Sequence, residues 1–518
     1  MKRKYSEDSD NSGKLDEIKS KDANVLVIED DEVKTTKTIL KKSKKAKNIE
    51  RRQANKDWKL IERKVGSGVD PNPRHTLYYK TQLPNELGNQ DDWDRFQEVL
   101  NNPLSVTFRI GTAAPLTVRR SIRKRCDLEF KKLQGKFVEI RGQILHDNIV
   151  KRCGMFIGDK SNSNNFNKDV WQVSSDSSTL SQHPSLQTLS DFLFRENLLG
   201  HVVRQELASM IPALMLDVQS HHLVLDVCAA PGSKTEQLLT IMNSRDTRTP
   251  TGMVIANDAD PKRILTLKNR YKRSGYPNLL ITCSRAEDLE QAIGKNVFDR
   301  IVADVPCSGD GTFRKQPHLW RLFRPRMALE LHSIQLQIAK SSVQMLKPGG
   351  RMIYSTCSLN PIENEAVVAE LLRIFKGSLK LVDTRQEGLL PNLISRRGIS
   401  SWHATKDIFS IGDNERDTEQ TFSRMPPILR SMQPPSEEEI KDFNLHRCHR
   451  ILPNDQDTGG FFVSVLELVT DNKTKSKNHI TETKAMETLR SLGFNPKSSK
   501  EPTKIETFMT MLMKNHCI

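Results

Sequence analysis

The chain has 518 residues, of which 28% are charged, with a formal net charge of +16 and a sequence pI of about 9.4. At roughly 100–200 residues per domain this is room for two to four units, and the basic excess points to a polyanion, either nucleic acid or an anionic membrane surface. No run of about 18 apolar residues occurs and Met1–Asp10 holds no apolar stretch, so neither a spanning helix nor a secretory leader is expected, which favours nucleic acid over a membrane.

Residues 1–56 are rich in Lys, Asp, Glu and Ser and poor in aromatics, a composition that cannot offset the entropy of ordering. A disordered basic tail is expected there. Its run Lys41-Lys42-Ser43-Lys44-Lys45-Ala46-Lys47 reads as a nuclear address, as a phosphate-binding arm, or as a plain solvated charge run. Nuclear (or nucleolar) residence is the expectation from it, with cytoplasm left open.

Residues 57–200 read as a small α+β unit. Residues 104–110 alternate like a strand, residues 186–197 have helical spacing, and residues 160–168 are Asn- and Ser-rich like a loop. Basic residues crowd 119–132, fitting either a nucleic-acid face or an ordinary solvated helix.

Over residues 201–470 the pattern sharpens. Residues 222–228, 253–258, 278–283, 300–306 and 351–358 read as strands, and 233–242, 262–274, 327–346 and 362–375 as helices. Such alternation predicts an α/β fold, a doubly wound parallel sheet with helices on both faces. Residues 379–383 and 461–468 would supply its last strands. Residues 471–518 form a polar C-terminal tail with a modest amphipathic helix at 480–492. No internal repeat is visible.

Four motifs carry chemistry. In Leu225-Asp226-Val227-Cys228-Ala229-Ala230-Pro231-Gly232-Ser233-Lys234-Thr235 a strand gives way to a small-residue turn and a helix. Ligands of open α/β sheets bind there, where backbone N–H groups are free. A phosphate-binding P-loop would need Gly before the Lys, and Ser233 stands there. Asn257-Asp258-Ala259-Asp260 follows the next strand, where an acidic side chain can accept from both ribose hydroxyls of a nucleoside.

The other two motifs are Asp304-Val305-Pro306-Cys307-Ser308-Gly309-Asp310-Gly311-Thr312 and Tyr354-Ser355-Thr356-Cys357-Ser358-Leu359-Asn360-Pro361, the latter followed by Glu363-Asn364-Glu365. Each sets a Cys at a strand tip. A single Cys is by default buried and inert. Two on neighbouring tips in these contexts fit core filler badly. The eight cysteines contain no CxxC pair, so no metal site is expected. With no secretion signal the thiols are expected reduced.

These motifs resemble those of the RNA cytosine-5 methyltransferases of the Nop/Sun type, across residues 75–470 and most densely from Arg204 to Glu365. Arg204-Gln205-Glu206, Ser209-Met210-Ile211-Pro212, Arg450-Ile451-Leu452-Pro453 and Thr458-Gly459-Gly460-Phe461-Phe462 look closest to the eukaryotic branch acting on tRNA. The resemblance implies a Rossmann-like class I sheet using S-adenosyl-L-methionine, with RNA as partner, tRNA in that branch.

It also implies site roles. Cys357 would attack carbon 6 of cytosine, and Cys307 would assist product release. Asp304 would hydrogen-bond the base near N3 and also meet the cofactor, with Lys234 in electrostatic support. Cys228, Ala229, Ala230, Pro231, Gly232, Ser233 and Lys234 would line the methionine and ribose side, and Asp258 would hold the ribose. Near the adenine the family carries an Asp where this chain has Ser284, with Glu287 or Asp288 as substitutes if the turn shifts. The 48 residues after 470 are few beside the longer RNA-binding extension of the tRNA enzymes. Two other readings stay open: an RNA-binding paralogue without catalysis, and the same chemistry on ribosomal RNA, messenger RNA or DNA.

Overall fold

The computed structural model describes residues 72–469, except residues 86, 88, 112–115, 141–142, 146–148, 155–168, 244–249, 273–275 and 412–424. The expected basic tail with its lysine run, the loop at 160–168, the helix at 480–492 and the polar tail at 471–518 therefore lie outside the described residues.

Among the described residues two helices come first, Pro73–Gln82 and Gln90–Asn101, opened by side-chain caps from Asn72 and Asn89. A first set of short strands follows: β1 (Val106–Ile110), β2 (Val138–Ile140), β3 (Gln143–Leu145), β4 (Val150–Arg152), β5 (Val170–Val173) and β6 (Val202–Arg204). β2 and β3 pair with each other, and the others form an antiparallel sheet in the order β4-β5-β1-β6. Phe108, Trp171 and Val173 of this sheet pack on Ile122 and Cys126 of helix Leu116–Lys131 and on Leu189 and Leu193 of helix Gln187–Leu198. The expected strand at 104–110 begins at Val106, whose N–H already pairs with Ser175 O. The smaller sheet extends to Arg204, past the 200 at which the sequence pattern changes.

The larger sheet holds β7 (Leu223–Asp226), β8 (Met253–Asn257), β9 (Leu279–Thr282), β10 (Phe298–Asp304), β11 (Leu346–Thr356), β12 (Leu379–Leu381), β13 (Arg396–Arg397), β14 (His449–Ile451) and β15 (Phe461–Leu468). Its order is β9-β8-β7-β10-β11-β15-β14-β13, with β12 also on β15. β9 to β11 are parallel and β15 is antiparallel to β11. The order reverses between β7 and β10, which is where such sheets open a crevice for ligands.

Burial on both sides explains the near-continuous apolar strands. Leu225, Ile301, Ala303, Met352 and Tyr354 face one core, closed by helices Met327–Met345 and Glu365–Ile374 and reached by Tyr78, Tyr79 and Trp93 from the N-terminal helices. Val224, Val302 and Ile353, the alternate residues, face the other, under helices Leu207–Met215, Ser233–Asn243 and Pro261–Tyr271.

Two element boundaries differ from expectation at the site. β11 starts at Leu346, not at 351, because its register with β10 shifts from Phe298↔Leu346 to Arg300↔Arg351 and absorbs Pro348-Gly349-Gly350. It ends at Thr356, its last pair being with Phe462, so Cys357 and Ser358 stand beyond the ladder. The helix expected over 362–375 begins at Glu365, since residues 361–364 form a turn in which Glu363 N–H bonds Asn360 O.

Candidate active site

Register brings the two cysteine motifs together. Asp304 of β10 pairs with Ser355 of β11, and Val305 N–H continues the ladder to Ser355 O. Cys307 and Cys357 each stand two residues past that bond, and their sulfurs lie 3.2 Å apart. Both are partly buried. The loop after β10 folds back under Cys357: Gly311 N–H donates to Cys357 O, and Gly460 N–H donates to Gly311 O. A Cβ at Gly311 would come within 2.8 Å of Cys357 O and 2.3 Å of Gly460 O, so only glycine fits there.

Asp304 is held from two sides. Its Oδ2 accepts from Lys234 Nζ at 2.7 Å and its Oδ1 accepts from Ser355 Oγ at 2.8 Å. Lys234 comes from the first turn of helix Ser233–Asn243 and sits 5.2 Å above the Phe461 ring of β15. Burial alone would lower its pKa, but Asp304, Asp226 and the Cys357 sulfur outweigh that and raise it. The ammonium is therefore a stable cation.

The Cys307 thiol is pushed well up, first by its hydrogen bond to Cys357 and then by burial. It is protonated at neutral pH. Cys228 is also raised, by burial and by the nearby Asp226, Asp258 and Asp304 carboxylates.

Those carboxylates end β7, β8 and β10. Burial pushes Asp226 up to about 7; Thr235 Oγ donates to its Oδ2 at 2.7 Å, while its Oδ1 is buried with no hydrogen-bond partner. Asp258 accepts from Ala230 N–H at 3.1 Å and from Asp260 N–H at 3.1 Å, and pairs with Arg263 at 3.3 Å. In the turn between β7 and its helix, Gly232 has φ +101° and a Cβ there would meet Leu267 at 2.7 Å. Ala229, Ala230 and Pro231 complete the turn, with Ala229 N–H on Asn257 O and Ser233 opening the helix.

Ser284 lies after β9, its N–H donating to Asn257 Oδ1 at 3.0 Å and its C=O accepting from Asn257 Nδ2 at 2.9 Å. Asn257 Nδ2 also donates to Val227 O at 3.0 Å, so one buried amide at the end of β8 ties the loops after β7 and β9. Neither proposed substitute is idle: Glu287 and Asp288 both pair with Arg285. All the expected residues thus gather along the C-terminal ends of β7 to β11.

Sequence reasoning assigned no role to a second layer behind the thiols. Glu363 accepts from the groups after both cysteines, and Asp310 accepts from Leu359 N–H at 2.8 Å and from the Tyr79 hydroxyl. Burial and Glu363 both raise the Asp310 pKa. Tyr79 comes from helix Pro73–Gln82, which showed no distinctive pattern. Asp310 and Glu363 stood inside the quoted motifs, and their buried context was the missing signal.

Residues 213–397 match the 16S rRNA methyltransferase RsmB/F family. A multisite-specific tRNA:(cytosine-C(5))-methyltransferase of Saccharomyces cerevisiae is 35% identical over 454 residues, covering 84% of this chain and 60% of that protein. A second, of Schizosaccharomyces pombe, is 36% identical over 441 residues, covering 80% and 61%. A Drosophila melanogaster tRNA (cytosine(34)-C(5))-methyltransferase is 38% identical over 334 residues, covering 62% and 44%. The chain thus spans about three-fifths of the length of the first two relatives. The segment similar to the RsmB/F family runs from helix Leu207–Met215 to β13 and holds both thiols, Lys234, Asp258 and Asp304.

Proposed function

We propose that this protein methylates carbon 5 of cytosine in RNA, with tRNA as the substrate class and S-adenosyl-L-methionine as methyl donor. One observation carries the reading: two sulfurs 3.2 Å apart on adjacent strand tips, beside an Asp304–Lys234 pair and next to the β7 turn. The named activities of the relatives support it, and so does the +16 charge, which suits a phosphate polymer. The lysine run at 41–47 supports nuclear residence.

The residues fit the cofactor on chemical grounds. Three carboxylates converge around Cys228, and Asp226 keeps a buried oxygen without a partner. Such a cluster of acceptor oxygens suits a ligand bearing both a sulfonium and an ammonium, with Asp258 as the acceptor for ribose hydroxyls. When bound, the cofactor supplies an electrophilic methyl group.

The chain's own groups prepare the base. Carbon 5 of cytosine is a poor nucleophile, and covalent addition splits the difficulty. The Cys357 thiolate adds to carbon 6, and the displaced electron pair moves toward N3, where the Lys234 ammonium held by Asp304 stabilises the developing charge. Carbon 5 is then enamine-like and takes the methyl group. Loss of the carbon-5 proton restores the double bond and returns the C6–S electron pair to Cys357. Cys307 stands beside the bond that must break, its sulfur 3.2 Å from that of Cys357. A base in a duplex must first be unstacked, at about a few kcal/mol.

Full-length protein, tritiated S-adenosyl-L-methionine and bulk small RNA test the reading. Wild type incorporates label into cytosine. Cys307→Ala accumulates an RNA–protein adduct that survives denaturation, and Cys357→Ala forms none. Absence of incorporation by wild type would defeat the catalytic reading, and the reverse trapping pattern would exchange the roles of the thiols.

A further inference from the structure

Glu363 has no part in the steps above, yet it is fully buried in the turn directly behind the thiols. Its carboxylate accepts from Ser308 N–H at 2.8 Å, Ser308 Oγ at 2.5 Å, Ser358 Oγ at 2.8 Å and Gln335 Nε2 at 2.9 Å. Ser308 follows Cys307 and Ser358 follows Cys357, so one carboxylate ties together the residues next to both sulfurs. Gln335 Nε2 also donates to Pro306 O at 2.9 Å, on the other side of Cys307. Bonds to an ionised acceptor are the strong ones, and a carboxylate offers enough lone pairs for all of them.

The two thiols do not depend on this tie equally. Cys357 follows a strand paired on both sides through Ser355, and its carbonyl accepts from Gly311. Cys307 follows Pro306, which has no N–H to extend the ladder. Its neighbours Pro306 and Ser308 are the residues that Gln335 and Glu363 hold. Of Glu363's bonds, two go to Ser308 and one to Ser358.

We propose that Glu363 is a positioning residue for product release: it fixes the Cys307 loop so that this sulfur stays against Cys357. The inference rests on the covalent reading above. Loosening the tie displaces Cys307 while Cys357 keeps its place. Attack and methyl transfer then proceed in the first turnover, and the adduct persists.

The test measures, for full-length variants with tritiated cofactor and bulk small RNA, first-turnover label and the fraction of protein held in a denaturation-resistant RNA adduct. Glu363→Ala should keep first-turnover methylation and accumulate adduct as Cys307→Ala does, with steady-state turnover down on the order of 100-fold. Glu363→Gln should return turnover to within about tenfold of wild type, because its carbonyl still serves Ser308 N–H and Gln335 while the two serine hydroxyls turn to accept from its amide. Ser308→Ala, which removes one tether, should accumulate adduct partially, and it decides the matter if Glu363→Ala does not fold. Joint loss of methylation and adduct in folded Glu363→Ala, wild-type release by it, no rescue by Gln, or an adduct-free Ser308→Ala would each overturn the proposal. If Cys307→Ala itself traps nothing, the covalent reading falls; if it traps and Glu363→Ala does not, only the positioning role falls.

Discussion

Lys234 gathers the electrostatics of the site in one side chain, lying 2.7 Å from Asp304 and interacting with Asp226 and the Cys357 sulfur. Lys234→Met removes that cation while keeping its length. Rapid-quench measurement should show single-turnover methyl transfer reduced by about 10²–10³, the usual cost of a lost donor to developing charge; an unchanged rate would remove Lys234 from the chemistry. Asp226 makes a pH prediction for the free protein. Its folded pKa of about 7 exceeds its ordinary 3.8. Between about pH 4 and 7 the unfolded chain gives up this proton while the folded chain keeps it, so stability from this group is full at low pH and lost as pH rises through 7. Asp226→Asn cannot titrate. In urea unfolding it should gain relative to wild type at pH 8 compared with pH 4, and equal pH dependence in both proteins would refute the assignment.

At the scale of elements, the turn 361–364 and the helix Glu365–Ile374 hold the rear of the site. Arg450 of β14 forms a bidentate pair with Glu365 at the head of that helix, and both are fully buried. Arg450 Nη1 also donates to Leu359 O at 2.8 Å, in the loop after Cys357. Arg450→Met leaves Glu365 with the Ile399 N–H at 3.1 Å and, among the described residues, no paired cation. Breaking a buried pair from one side costs roughly 3–5 kcal/mol, which urea denaturation at neutral pH should show. A loss under 1 kcal/mol would mean that water or a rearranged cation replaces the guanidinium. The helix was legible from its apolar spacing, but its start was not. Pattern alone placed it at 362, whereas hydrogen bonds from residues about 30 and 55 positions away hold Glu363 outside it. Similarly, Cys357 read as part of a strand, although the ladder with β15 stops at Thr356 and frees the thiol.

At the scale of the molecule, the smaller sheet and the larger one are joined by polar clamps. Buried Arg314 donates to Asn102 O, Pro103 O and Thr458 O and pairs with Asp457, which also accepts from Ser105 and Gln172. Helix Leu116–Lys131 turns Ile122 and Cys126 inward and leaves Arg120, Lys124 and Lys131 exposed. If that face meets phosphates, Arg120→Glu with Lys124→Glu should weaken RNA binding about tenfold or more at low salt and flatten its salt dependence. The melting temperature should hold, since exposed substitutions usually stay within about 0.5 kcal/mol. Unchanged RNA affinity would make the helix an ordinary solvated one.

The amino-acid order by itself determined the α/β alternation, the strand tips and the chemical type of each site group, because apolar periodicity and small-residue turns are local properties of the chain. It could not reveal that Tyr79 reaches Asp310, that Asn257 ties the loops after β7 and β9, or that Glu363 joins two cysteine turns. Those contacts join segments brought together only by the parallel register of β7 to β11 and the docking of the first helix. A buried polar group is satisfied by whatever the fold sets beside it, and no local pattern records that neighbour.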